Sequence, residues 1–435
     1  MNVTTFLRAQ VAGGRSEMLN LLRHTQVRAT AGTAGVNVSI MLVGSVGGLF
    51  LARALGPTYR GDLVTILQWP AMIGAVVSLG ITQSTVYWIS RRPDKATAFM
   101  STAVAASLAT GLAVAALGPW IASMIARNAE VRNDLALVLA LTPVYIAGGV
   151  WMASLQATSI RRWNLTRALQ PIAYLVAVVS LWSLGKLTLF TVVAAFGVSL
   201  LGQTIFAAIV ARQVVGRHSL PDRSLLGPLY SYGAKLWLSS VPQLVTVSVD
   251  QLVLSVWPTV LPAQLGNYTV AVSLSWLALP AATAFGSVAF PRIARIAGTG
   301  STLRIERLSL IGGGLTAAAA IGAICILAPY VIPNLFGSGY RDAIVALWLL
   351  APGTVFLALN RVLGDVLQGH GRPLIRSAGE GVGAVITVAL LLTLIPSYGI
   401  RGAAVASSIT YAAVFLFLLV GRYRVRGPAA GAGTR

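Results

Sequence analysis

Cysteine occurs once in this chain of 435 residues, at Cys325. No disulfide can therefore form within the chain, and no thiolate metal cluster can be built. Histidine is almost as scarce: His24, His218 and His370 fall in the amino-terminal tail or in loops, so neither a zinc set nor a histidine-based catalytic group is expected. Charge is the third scarcity. Asp, Glu, Lys and Arg make up 10% of the residues, against about 25% in an ordinary soluble domain. That excludes a water-soluble core-and-shell protein.

Apolar residues fill the space left by charge, at 56% of the chain. They gather in runs of about 20 residues, enough to cross a bilayer as helix at 1.5 Å per residue. The chain reads as an all-α integral membrane protein with twelve spans, near 31–52, 63–90, 97–124, 135–157, 168–184, 188–211, 236–256, 268–290, 308–332, 343–369, 376–395 and 402–421. The formal charge of +21 is not a nucleic-acid footprint, because the basic residues are scattered through short loops. They separate by side instead. Twenty-four of the 32 fall in the two termini and alternate loops, and seven in the intervening loops: Arg53, Arg60, Arg127, Arg132, Lys186, Arg341 and Arg401. By the positive-inside rule both termini are expected in the cytoplasm.

Residues 1–29 carry four arginines and one glutamate and read as a basic amphipathic segment on the inner membrane face. The longest internal loop, 212–235, is basic and punctuated by Pro and Gly, as expected of a linker between 30–211 and 236–421. Residues 422–435 form a basic tail. "ARALGPTYRGDLVTILQWPA" near the start of one half is faintly echoed by "LSVWPTVLPAQLGNYTVAVSLSW" in the other. Six helices is an even number, so the two lobes would run parallel about an axis along the membrane normal.

"LARALGPTYRGDLVTI" (51–66), "VDQLVLS" and "LGNYTVAVSL" (249–274), "FPRIARI" (290–296), "NLFGSGYRDAIVALWLLAP" (334–352) and "LIPSYGIRGAAVASSITY" (394–411) follow one another in a familiar order. Together the sequence resembles the polysaccharide-type flippases of the multidrug/oligosaccharidyl-lipid/polysaccharide exporter superfamily. The resemblance implies a V-shaped bundle around a central cavity, lined by the first and seventh helices. It also implies transport of an undecaprenyl diphosphate-linked oligosaccharide across the bacterial cytoplasmic membrane, with proton or sodium coupling and no cofactor. The chain would work as a monomer, with room for a polymerase or glycosyltransferase partner. The related lipid II flippases carry arginines in the first helix, whereas 30–52 here hold no charge.

Intramembrane ionisable groups are costly and usually face a wet cavity or a partner. Arg361 and Asp365 lie four residues apart on one helical face. Either they neutralise each other, or Arg361 lines the cavity and meets the diphosphate while Asp365 presets it. Asp250 has no basic neighbour in "SVDQLVLS", so its partner is expected from another helix. Arg53, at the outer end of the first helix, is expected to close an outer gate with it. Glu380 is expected to pair with Arg376, four residues back. Asn360, Gln68 and Gln251 are expected to face cavity and substrate with Arg361 and Arg53, and Asp250, Asp365 and Glu380 to serve coupling or gating. Other span amides, among them Gln83, Gln170 and Gln203, either bond across helices or meet sugar hydroxyls.

An enzyme is disfavoured, since the outer loops are short and hold no acidic pair beyond Glu130 and Asp134. A proton- or sodium-coupled multidrug exporter is the alternative function.

Overall fold

The computed structural model describes residues 3–216, 219–296 and 302–426, with side chains from 32 onward except 34, 239, 291, 295 and 423–426. The amphipathic face expected of 1–29 and the tail beyond 426 lie outside the described side chains. Every regular element among the described residues is helical. In hydrocarbon this follows from the backbone, whose N–H and C=O groups must bond within their own segment.

Thirteen α-helices follow in order: α1 (Val3–Val77), α2 (Ile81–Arg91), α3 (Ala96–Ile125), α4 (Ala129–Ala140), α5 (Thr142–Thr158), α6 (Ile160–Ser183), α7 (Leu189–Val215), α8 (Leu226–Val256), α9 (Pro262–Trp276), α10 (Leu279–Ile296), α11 (Leu303–Val331), α12 (Asp342–Gly369) and α13 (Pro373–Arg426). Eight described stretches are long and apolar enough to cross a membrane. A ninth is the pair α9 and α10, if its 43° bend belongs to one span. Their lipid-compatible surface is plain in Leu112, Met124, Val198, Ile326 and Val385, all more than half exposed; on a soluble monomer such residues would be an aggregation hazard.

Two helices are too long for one crossing. The 54 residues of α13 would reach about 80 Å if straight. Each is broken by a single glycine: Gly56 in α1 (φ 74°) and Gly399 in α13 (φ 54°). Only glycine enters this left-handed region without strain, so one residue does the work the sequence reading gave to loops of six to ten. The expected helix 63–90 is also interrupted, at 78–80, where Gly80 is left-handed (φ 71°). Pro143 and Pro280 open new helices, α5 and α10, rather than kinking old ones, because a proline lacks the N–H that would continue the preceding turn. The inter-half connection is shorter than expected, since α8 begins at Leu226.

The apolar cores divide largely by half. One cluster, around Leu63, Leu135 and Val192, belongs to the first half. Clusters around Leu363 and Val414 and around Ala282 and Ala358 belong to residues 279–418. Two clusters among the described residues cross the divide: that of Met100 and Val150 takes in Leu225 and Leu229 at the start of α8, and that of Leu347 and Leu391 takes in Ala52 and Val64.

Candidate functional site

The halves meet first at what we call the Gly56 end. Beyond Gly56, α1 lies against the start of α9 by a reciprocal contact. A Cβ on Gly61 would fall 1.9 Å from the Pro262 carbonyl oxygen, and one on Gly266 would fall 2.0 Å from that of Pro57. Pro57 and Gly61 are four apart, as are Pro262 and Gly266, so each proline carbonyl sits over the other helix's glycine. Around this crossing Arg127 donates to the carbonyls of Leu254, Trp257 and Val260, capping the exposed end of α8 with a cation. Tyr340 Oη donates to Ala52 O at 2.9 Å.

Contact continues along α1, α2 and α8. Gln68 Nε2 donates to Gln251 Oε1 at 2.8 Å, and Trp69 Nε1 to Ser255 Oγ at 2.9 Å. A Cβ on Gly80 would fall 2.2 Å from Gly233 O. Near Arg91, Tyr87 stacks on Tyr232 at 3.9 Å between centroids, and Trp88 Nε1 donates to Pro228 O.

Three of the cavities along and behind this seam bear on function. A polar one of about 370 Å³ lies among α1, α2, α8, α12 and α13, where Gln243, Thr246, Asn360, Arg361, Glu380 and Tyr411 meet Ser78 and Gln83. A larger apolar one of about 850 Å³ is walled by 40–49 of α1, by α9 and α10, and by 331–336; Arg60 and Arg361 also line it. The third, about 280 Å³, lies inside the first half and shares Ala75, Ser78 and Gln83 with the polar cavity. Arg361 alone among the charged residues lines both the polar and the apolar chamber.

The expected pairings are rearranged. Asp365 bonds Arg376 at 3.3 Å, which leaves Arg361 without an ion pair among the described residues and displaces the expected Glu380–Arg376 pair. The i, i+4 rule places two side chains on one face, but α13 brings a third group closer. Asp250 does not meet Arg53. It is buried inside the second half, accepting from Tyr268 Oη at 2.5 Å, Ser407 Oγ at 3.3 Å and the Gln251 N–H. Arg53 donates instead to Asn334 O at 2.8 Å and to Leu335 O. Asn360 Nδ2 donates to Tyr411 O, while its Oδ1 is buried and unbonded.

Sequence reading missed Arg60, which it assigned to a loop. Its Nε is buried without a partner at the wall of the apolar chamber. A signal was present: Arg60 is one of seven cations on the side poor in basic residues. Among the described residues no group of three or more His, Cys, Asp or Glu is placed to hold a metal.

A family model described as polysaccharide biosynthesis protein matches residues 50–345, more than half of the chain. Over 187 residues the chain is 23% identical to the probable low-salt glycan biosynthesis flippase Agl15 of Haloferax volcanii, covering 42% of this chain. The chain spans 39% of the length of that relative, and the same share of a membrane protein of Methanocaldococcus jannaschii that it also matches, at 27% identity over 45% of this chain. Among solved structures it is similar to an inward-facing multidrug resistance MATE family transporter of the MOP superfamily (TM-score 0.73, 19% identity, 89% of this chain and 94% of that one). It is equally similar to the lipid II flippase MurJ in an inward closed conformation (TM-score 0.74, 13% identity, 90% and 87%). At these identities the likeness is one of fold: an all-helical exporter fold in a multi-pass membrane protein.

Proposed function

The chain belongs to the family of polysaccharide biosynthesis proteins, and from that premise we propose that it flips a polyprenyl diphosphate-linked oligosaccharide across a bacterial cytoplasmic membrane by alternating access. In this reading the chain crosses twelve times. The runs either side of Gly56 and Gly399 are separate spans, α1 beyond Gly56 continues through α2, and α4–α5 and α9–α10 are one broken span each. Both termini and the Arg91 end then face the cytoplasm. The two six-helix lobes meet along α1, α2, α8 and α9, and the chain acts as a transporter rather than an enzyme.

One observation carries the proposal: Arg361 stands where an apolar chamber meets a polar one. A lipid-linked sugar has that division, a hydrocarbon tail and a hydrated head joined by a diphosphate. A guanidinium fits the joint because its planar fork matches phosphate oxygens and stays charged throughout. Arg60 lines the same apolar chamber and supplies a second cation. Asp250 is the coupling group in this reading. Its carboxylate ties α8 to α9 and α13 through Tyr268 and Ser407, so protonation or sodium binding there would loosen or reset that joint. Arg53, Gln68 and Gln251 act as straps between the lobes. Glu380, on the wall of the polar cavity, is the feature that favours the second reading, export of a cationic drug.

Lipid analysis of a deletion strain separates the two. Accumulated polyprenyl diphosphate oligosaccharide, cleared by the wild-type gene but not by Asp250→Ala, is the expected result. Unchanged lipid pools with raised sensitivity to cationic dyes would sink the flippase in favour of the exporter. Whether the protein is a monomer or joins a polymerase is tested by its mass in native membranes.

A further inference from the structure

The cavity inside the first half lies behind Ser78 and Gln83, apart from Arg361. Its wall holds three amides, Gln83, Gln170 and Gln203, with the hydroxyls of Thr82 and Thr204 and the ring of Tyr145, and no Asp, Glu, Lys or Arg. These polar groups are held open. Elsewhere in the bundle hydroxyls turn back onto the carbonyl four residues earlier, as in Thr85 to Ile81, Ser154 to Val150 and Thr158 to Ser154. Thr82 and Thr204 make no such bond, and neither amide group of Gln83 and Gln170 has a partner among the described residues. Gln203 Nε2 is anchored on the carbonyls of Thr166 and Arg167, which fixes its carbonyl oxygen as an acceptor.

Two glycine positions shape the chamber. A Cβ on Gly148 would fall 2.7 Å from Thr204 Oγ1, and one on Gly149 would fall 3.3 Å from Thr82 Oγ1, so bare backbone on α5 leaves room for both hydroxyls. A Cβ on Gly74 would meet two Tyr145 ring carbons at 3.1 Å. The ring thus lies against α1, while Tyr145 as a whole remains 44% exposed.

We propose that this chamber is a glycan subsite for uncharged sugars, taking the first residues of the oligosaccharide while Arg361 holds the diphosphate. The inference rests on the flippase reading and deepens it. Sugar hydroxyls both donate and accept, which suits amides and hydroxyls, and their C–H faces pack on an aromatic ring. Ser78 and Gln83 line both this chamber and the polar cavity of Arg361, so a headgroup held at the arginine reaches it directly. A uronic acid does not fit. Its carboxylate would enter a chamber with no cation, at the full cost of desolvating an unpaired charge.

Three probes test this on the purified full-length chain in lipid nanodiscs: a bare polyprenyl diphosphate, the same lipid carrying glucose, and the same lipid carrying glucuronic acid. Titration by thermophoresis is expected to find the glucosyl lipid bound about tenfold more tightly than the bare lipid, the effect of one or two net hydrogen bonds. The glucuronyl lipid should gain nothing. In Gln170→Ala and Thr204→Val proteins the glucosyl-to-bare ratio should fall toward one. If glucose adds no affinity in the wild type, or glucuronate adds as much, the subsite is refuted and the flippase reading stands. If none of the three lipids binds, the flippase reading falls and takes the subsite with it.

Discussion

A guanidinium buried in a membrane protein costs about 2.5–3.5 kcal/mol on insertion scales, and Arg361 meets that cost without an ion-pair partner among the described residues. Its neighbour Asp365 is held by Arg376. An unpaired cation that faces two chambers is kept for what it binds. Arg361→Gln, which keeps the bulk and removes the charge, should cut flipping of the lipid-linked sugar by about 10²-fold, as expected when a charged hydrogen bond worth up to about 3 kcal/mol is lost. Arg361→Lys should recover part of it, because a point charge still attracts phosphate but lacks the fork. The readout is lipid-linked oligosaccharide accumulated in cells; full clearance by the Gln variant would remove Arg361 from the site. Arg361 was legible in the sequence because a charge inside "LALNRVLGDVLQGHGR" stands out. Its freedom was not, since Asp365 is the obvious partner until α13 folds back and presents Arg376. Asp250 was likewise visible as a lone buried acid, while its partners Tyr268 and Ser407 lie 18 and 157 residues away and carry no charge to mark them. Arg60 was hidden by the opposite error. One glycine turns the chain at position 56, so a residue that reads as loop begins a helix.

At the scale of elements, the proline–glycine crossing of α1 and α9 decides whether the Gly56 end can close. Helices approach this closely only where one of them has no side chain. Gly61→Ala puts a Cβ 1.9 Å from the Pro262 carbonyl oxygen, against backbone that cannot swing aside. Forcing extra bulk into a packed contact costs about 1–3 kcal/mol, so the closed arrangement should lose roughly 5- to 150-fold in population relative to the open one. Gly266→Ala should do the same through Pro57, and the double variant should add little, because both relieve one crossing. Labelling of a cysteine placed at Ser255, buried in this seam when it is closed, by a membrane-impermeant maleimide in a Cys325→Ala background measures the opening. An unchanged labelling rate in both variants would mean that the crossing is not a gate. The two motifs that form it, "LGPTYRG" and "LPAQLG", belong to the two segments that echo each other in the sequence. That they touch one another is a fact of tertiary structure, which similarity alone does not carry. The helix breaks divide in the same way: proline at the head of α5 and α10 is a local signal, whereas the break at Gly80 exists to let α8 pass at Gly233.

For the whole molecule, contacts at both ends set what transport requires. The Gly56 end is shut by α1 on α9 and by Arg127 over the end of α8, and near Arg91 the halves touch through the Tyr87–Tyr232 stack and the Trp88 bond to Pro228. Three core clusters belong to one half or the other, so the halves can tilt as bodies, with Leu225 and Leu229 parting from α2 and α3 at the Arg91 end. The two ends differ in strength. Arg127 and the reciprocal glycines hold the Gly56 end through backbone atoms, whereas the Arg91 end relies mainly on side chains, the Tyr87–Tyr232 stack, the Trp88 bond and the packing of Leu225 and Leu229, and it should yield first. Spin labels at Tyr59 and Leu261 report the first end, and labels at Ser90 and Ser231 the second; these residues are exposed, and replacing Cys325 leaves no other thiol. Without ligand, the Ser90–Ser231 distance distribution should be the broader one. Lipid-linked sugar should then widen the Tyr59–Leu261 distance while narrowing Ser90–Ser231, because a carrier open at both ends would leak ions down the membrane potential. Simultaneous widening would describe a pore rather than a flippase, and distances that ignore the lipid would mean that these seams are static packing.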